Sequence, residues 1–176
     1  IMKERNYITP RGLERIRLEL QWLDQTERPK VVAEVSYAAS LGDRSENAEY
    51  IYGKKKLRQI DSRRTFLTRR LGGAQLVDPL SIEDTRVRFG ATVLLENEEG
   101  EEILWRIYGE DEVDIERRIV SWRSPLAQAL MGKAPGASIV FTAPGGTREF
   151  ELLEVRYEKQ APLAEEEWRT PRYARG

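Results

Sequence analysis

Histidine and cysteine are both absent from the 176 residues, and each absence removes whole classes of chemistry. Without imidazole there is no Ser-His triad, no histidine metal ligand and no side chain that titrates near neutrality unperturbed. Without thiols there are no disulfide staples, thiolate zinc sites or cysteine nucleophiles, which fits a cytoplasmic address. Any chemistry must rest on carboxylates or lysines. Long apolar runs are missing too. Nothing approaches the roughly 20 residues that a membrane helix needs, and 34% of residues are charged against 40% apolar. A soluble protein with no membrane partner is expected, and no basic segment leading into an apolar stretch suggests a secretory signal.

What is abundant is charge, and it is unevenly placed. The total is only −1, yet residues 1–78 hold 16 Lys or Arg against 11 Asp or Glu, while residues 79–176 hold 13 against 19. The first part is thus suited to an anionic partner, although helices also carry charge simply to stay solvated. The length permits two small domains.

Residues 1–78 read as a helical hairpin. Thr9-Pro10 is a helix start, since Thr caps free N–H groups and Pro is preorganised for the first helical position. Leu13, Ile16, Leu20 and Leu23 then recur with the spacing of a seam against one partner helix, continuing through Val31, Val35 and Ala38. Pro29 is expected to kink or break this helix. From Pro10 to Ala38 an unbroken helix spans roughly 43 Å. A second seam runs through Tyr50, Gly53, Leu57, Ile60, Leu67 and Leu71, with Arg64 at one seam position, and Gly72-Gly73 ends it. Two such helices fold back as an antiparallel pair, which puts residues 40–50 at the tip.

After Asp78-Pro79, β-prone stretches alternate with turns: 87–96, 102–108, 117–122, 138–142 and 148–157. Asn97-Glu98-Glu99-Gly100 and Pro144-Gly145-Gly146 read as hairpin turns, and Ser124-Pro125 opens one short helix that Gly132 closes. The predicted class is α+β, with a helical hairpin at 1–78 and a small sheet domain at 79–158. Residues 159–176 are poor in apolar side chains and are expected to be disordered.

Two clusters carry possible chemistry. At the tip, Asp43 and Glu46 stand three residues apart. They read either as a reciprocal cap, with Asp43 capping the second helix and Glu46 at its third position, or as two ligands of a Mg²⁺ completed elsewhere, since Mg²⁺ takes one or two protein carboxylates plus water and phosphates. Along the second helix, Lys54, Lys55, Lys56, Arg58, Arg63, Arg64, Arg69 and Arg70 face the single acid Asp61. This is equally a solvated face or a phosphate-binding surface.

The run Ser40-Leu41-Gly42-Asp43-Arg44-Ser45-Glu46-Asn47-Ala48-Glu49-Tyr50 resembles the hairpin tip of the bacterial transcript cleavage factors, the GreA/GreB family. Thr9-Pro10-Arg11-Gly12-Leu13, Arg28-Pro29, Phe89-Gly90-Ala91, Ser124-Pro125-Leu126-Ala127 and Thr142-Ala143-Pro144-Gly145-Gly146 also resemble that family, over about residues 3–158. The tip and the basic helix are nearer its GreB branch. The resemblance implies a sheet domain similar to the FK506-binding-protein fold, docking through Arg123, Ser124 and Pro125 beside the secondary channel of bacterial RNA polymerase. Arg123 stands where family members tend to carry an uncharged polar or acidic residue. The resemblance further implies that the hairpin enters the channel as a monomer. There Asp43 and Glu46, assisted by Ser45, would help the polymerase hold Mg²⁺ and cleave the 3′ end of backtracked nascent RNA, which Lys54, Lys55, Arg58, Arg63, Arg64, Arg69 and Arg70 would contact. In that reading the chain is no enzyme and holds no metal by itself; its acids complete the polymerase's site. A channel-binding regulator without cleavage stimulation, and a peptidyl-prolyl isomerase, are the competing readings.

Overall fold

The computed structural model describes residues 5–42 and 46–175, so the expectations for Asp43 and Ser45 lie outside the described residues. The chain divides into two compact units: residues up to Leu13 with Ala74–Pro162, and Glu14–Gly73 with the residues from Leu163 onward. The class is α+β, as the alternation of patterns predicts.

The hairpin unit is built from α1 (Pro10–Trp22), which starts in the other unit, α2 (Arg28–Ser40) and α3 (Ala48–Gly72). Thr9 caps α1, its hydroxyl accepting from the Gly12 N–H at 3.2 Å, with Pro10 in the first turn. The expected seam is present: Ile16, Leu23, Val31 and Ala38 are buried from one side, Gly53, Ile60 and Leu67 from the other. Gly53 is needed for this approach, because a Cβ there would lie 2.6 Å from Val35 Cγ2.

Next to Pro29 the regular α-helix is interrupted, as expected, but the chain stays helical. Between α1 and α2 the chain widens into a π-helical turn, Leu23–Glu27, in which the Arg28 N–H reaches back five residues to the Leu23 carbonyl. Proline has no N–H to offer the ordinary ladder. Widening the turn just before it is how a helix absorbs such a mismatch without stopping.

The expectation of a disordered tail is not met. Residues beyond Leu163 pack on the hairpin in two short 3₁₀ turns, Glu165–Glu167 and Arg172–Ala174, with Glu167 and Tyr173 buried. The Glu167 carboxylate accepts from the Ala164 N–H at 2.8 Å, closing the first turn. Burial, then the nearby Glu27 and Glu34 carboxylates, pushes the Tyr173 hydroxyl up to about 12. The tail carries few apolar residues, but it needs no core of its own when Tyr173 inserts into a surface already built.

In the other unit, β3 (Thr92–Glu96), β4 (Glu102–Tyr108), β5 (Ile119–Ser121), β6 (Ser138–Ala143) and β7 (Gly146–Arg156) form one sheet in the order β5-β4-β3-β7-β6. All neighbours are antiparallel except β4 and β5. Both predicted hairpin turns are present, at 97–100 and before Gly146. Val93, Leu95, Ile107, Val120, Ile139 and Leu152 form a continuous apolar core with Ala127 and Leu130 of α4 (Pro125–Leu130). Not foreseen is a parallel pair, β1 (Asn6–Ile8) with β2 (Ala74–Leu76), which draws both ends of the helical region into this unit. The buried Glu112 carboxylate fixes that region, accepting from the Thr9 N–H at 3.1 Å and the Gly109 N–H at 2.7 Å. No helix of the described residues is long and apolar enough to cross a membrane.

Candidate functional site

At the tip the cap of α3 is Asn47. Its side-chain oxygen accepts from the Tyr50 N–H at 3.1 Å, and its amide donates to the Ala38 carbonyl at 2.6 Å, tying the start of α3 to the end of α2. Glu46 therefore sits one residue before the cap, not at the third helical position, and the reciprocal-cap explanation does not apply to it. Its carboxylate is exposed and makes no ion pair or hydrogen bond with a described residue. Asn47 was legible as a cap, since Asn leads that preference and Ala48-Glu49 opens a good helix; the acids flanking it drew the assignment away. Around it stand Tyr37, Leu41, Ile51 and Tyr52, each at least half exposed, which no periodicity argument marks. An exposed carboxylate of this kind fits a hard cation that is completed from elsewhere. Among the described residues no three acidic side chains converge to hold a metal alone.

Down the shaft, the basic residues divide into two groups. Arg63 is committed to structure: its guanidinium pairs at 2.6 and 3.1 Å with Glu19, a carboxylate only 1% exposed. Arg15 reaches the same carboxylate at 2.8 Å and Arg172 at 3.6 Å. Arg64 pairs with Asp24 and, at 3.3 Å, with Asp61, which also receives Arg28 at 2.9 Å. Those hydrogen bonds hold the Asp61 carboxyl below its ordinary range, Arg28 contributing most. Arg63 and Arg64, both expected to meet RNA, are held in ion pairs within the hairpin. Lys54, Lys55, Arg58 and Arg69 remain exposed, although Arg63 and Arg69 also bracket the Phe66 ring at 5.3 and 5.9 Å.

On the sheet unit, the expected docking residues are partly structural. The Ser124 hydroxyl accepts from the Ala127 N–H at 3.2 Å, capping α4, and Pro125 fills its first turn. Arg123 pairs with Glu110 at 3.0 Å and lies over the Trp122 ring at 4.9 Å. Its charge is thus balanced within the unit.

Residues 6–76 match the family described as "Transcription elongation factor, N-terminal", and residues 82–157 match "Transcription elongation factor, GreA/GreB, C-term". The chain belongs to the GreA/GreB family. It is 49% identical over 150 residues to transcription elongation factor GreB of Pseudomonas aeruginosa, covering 85% of this chain and 89% of that one. Against GreB of Pasteurella multocida identity is 49% over 158 residues, covering 90% of this chain and all of the relative. Against GreA of Alkalilimnicola ehrlichii it is 41% over 152 residues, covering 85% and 96%. A solved GreA/GreB factor from Nitrosomonas europaea shares 24% identity, with 87% and 100% coverage and a TM-score of 0.38. The two GreA/GreB matches take in the hairpin and the five-stranded sheet. They end at residue 157, before the tail that packs on the hairpin.

Proposed function

We propose that this transcription elongation factor stimulates RNA polymerase to cleave the 3′ end of backtracked RNA, with the hairpin in the enzyme's secondary channel. The observation that carries the reading is the exposed Glu46 carboxylate, freed from helix capping because Asn47 does that work. Glu46 and Asp43 would be the carboxylates that hold Mg²⁺ jointly with the polymerase, and Ser45 would position water or RNA beside them. Bound there, Mg²⁺ would stabilise charge on the attacking and leaving oxygens of phosphodiester hydrolysis. Lys54, Lys55, Arg58, Arg69 and Arg70 are the cations assigned to RNA, and the segment at Arg123, Ser124 and Pro125 is assigned to docking.

The test is RNA release from an arrested bacterial polymerase complex with and without the protein. Glu46→Gln and Asp43→Asn are each expected to abolish the stimulated cleavage while leaving polymerase binding intact, because an amide is a far poorer Mg²⁺ ligand. Raising Mg²⁺ should partly restore it by mass action. Normal cleavage by both variants at limiting Mg²⁺ would sink the assignment and leave a channel-binding regulator.

A further inference from the structure

The tail lies outside both family matches, and it brings cations to a face of the hairpin that is already basic. A trough of about 450 Å³, open to solvent, is lined by Lys55, Arg58 and Arg63 of α3 and by Arg172, Tyr173 and Arg175 of the tail, with no acidic side chain in its lining. Tyr173 is buried and anchors the tail there, while Lys55, Arg58 and Arg175 are exposed along the rim. Beneath them three guanidinium groups, Arg15, Arg63 and Arg172, share the one buried Glu19 carboxylate. The Arg172 Nη1 atom is buried without a hydrogen-bond partner. The trough lining thus carries an excess of positive charge with no acid in it. Burial, and then repulsion from Arg15, lowers the proton affinity of Arg172 below the ordinary arginine value, a cost that an anion in the trough would offset.

We propose that the tail and α3 together form a binding site for the phosphate backbone of single-stranded RNA, in which Arg175 and Arg172 add to the charge of Lys55 and Arg58. Two features favour a polymer over a small anion. From Lys55 to Ser62 the trough follows α3 for about 10 Å at 1.5 Å per residue, and it is open, whereas small-ligand sites enclose most of their ligand. The choice of RNA rests on the reading of the chain as a cleavage factor; the charge excess does not.

Because the assay needs no polymerase, the tail site and the tip chemistry fail separately. Anisotropy of a labelled single-stranded RNA of about ten nucleotides is measured against the full chain over a salt series. Lys55→Ala and Arg175→Ala are both at exposed positions, and each should reduce the slope of log affinity against log salt by about 0.7, the pair together by about 1.4, with unchanged melting temperature. Tyr173→Ala should lower affinity without removing a charge, by freeing the tail. Unchanged slope in the double variant would overturn the proposal. So would full displacement of the RNA by pyrophosphate at matched ionic strength, which would make this a small-anion site.

Discussion

The sheet unit and the hairpin unit hold themselves together by different means. The sheet unit has a continuous apolar cluster in which Val93, Leu95, Ile107, Ile139 and Leu152 are almost entirely removed from water. The hairpin has a narrow seam, and much of the remaining cohesion comes from acids embedded among its arginines: Glu19 with Arg15 and Arg63, Asp61 with Arg28 and Arg64. Two helices alone cannot enclose a wide core, so charged side chains are recruited to staple them. A high density of cations on a helix is therefore poor evidence of a ligand until the acids opposite are known.

Perturbations of three sizes separate these modes. The largest effects should come from removing one buried element in each unit. Leu152→Ala should cost roughly 2–5 kcal/mol through lost apolar contact and a cavity. Glu19→Gln should cost about 3–5 kcal/mol, because it leaves the guanidinium groups without their counter-charge. Hydrogen exchange read separately over the two units should place each loss in its own unit. Added salt should return part of the second loss by screening the repulsion, and little of the first. Equal salt responses would break the comparison.

A smaller effect, about 1 kcal/mol, is expected from Asn47→Ala, which removes the cap of α3. Faster amide exchange confined to the first turn of α3 is its signature. Glu46→Gln should leave that exchange unchanged, and faster exchange there would return Glu46 to a structural role.

The smallest effect is acid loosening of the hairpin at Asp61. Its carboxyl is held below the ordinary 3.8, so the charged form is favoured in the folded state. Its contribution is present above that ordinary value and lost as pH falls through the depressed folded value. The pair is half exposed, so the change should be modest. In Asp61→Asn the hairpin should lose the corresponding acid sensitivity in circular dichroism below about pH 4; an identical acid profile would remove Asp61 from the account.

The seam, the strands flanking tight turns and the short capped helix were all legible, because each depends on local spacing or on a residue with a special backbone preference. Strand limits were overestimated at 87–91, where Val87 and Ala91 are buried as loop residues beside β3. The β1–β2 pair was not legible, since three-residue strands far apart in the chain have no period to detect. The tail was misread for a related reason: Tyr173 and Glu167 are buried singly against α-helices that are distant in sequence, and composition is blind to such contacts. At the site, the acids of the tip stood out by residue type. The division of the arginines did not, because Glu19 looks like any helical glutamate until the structure puts it opposite Arg63.

The wide turn at Leu23–Glu27 has a consequence for the azimuth of everything beyond it. An extra residue in a regular helix would advance everything beyond it by about 100°; the widened turn takes up that residue, so Val31, eight residues after Leu23, stays in phase with α3. Deleting one residue between Leu23 and Glu27 would leave Val31 and Ala38 on the seam, whereas tightening the turn with all its residues kept would carry them away from Gly53 and Ile60. The phase of α2 is thus set by the wide turn just before Pro29.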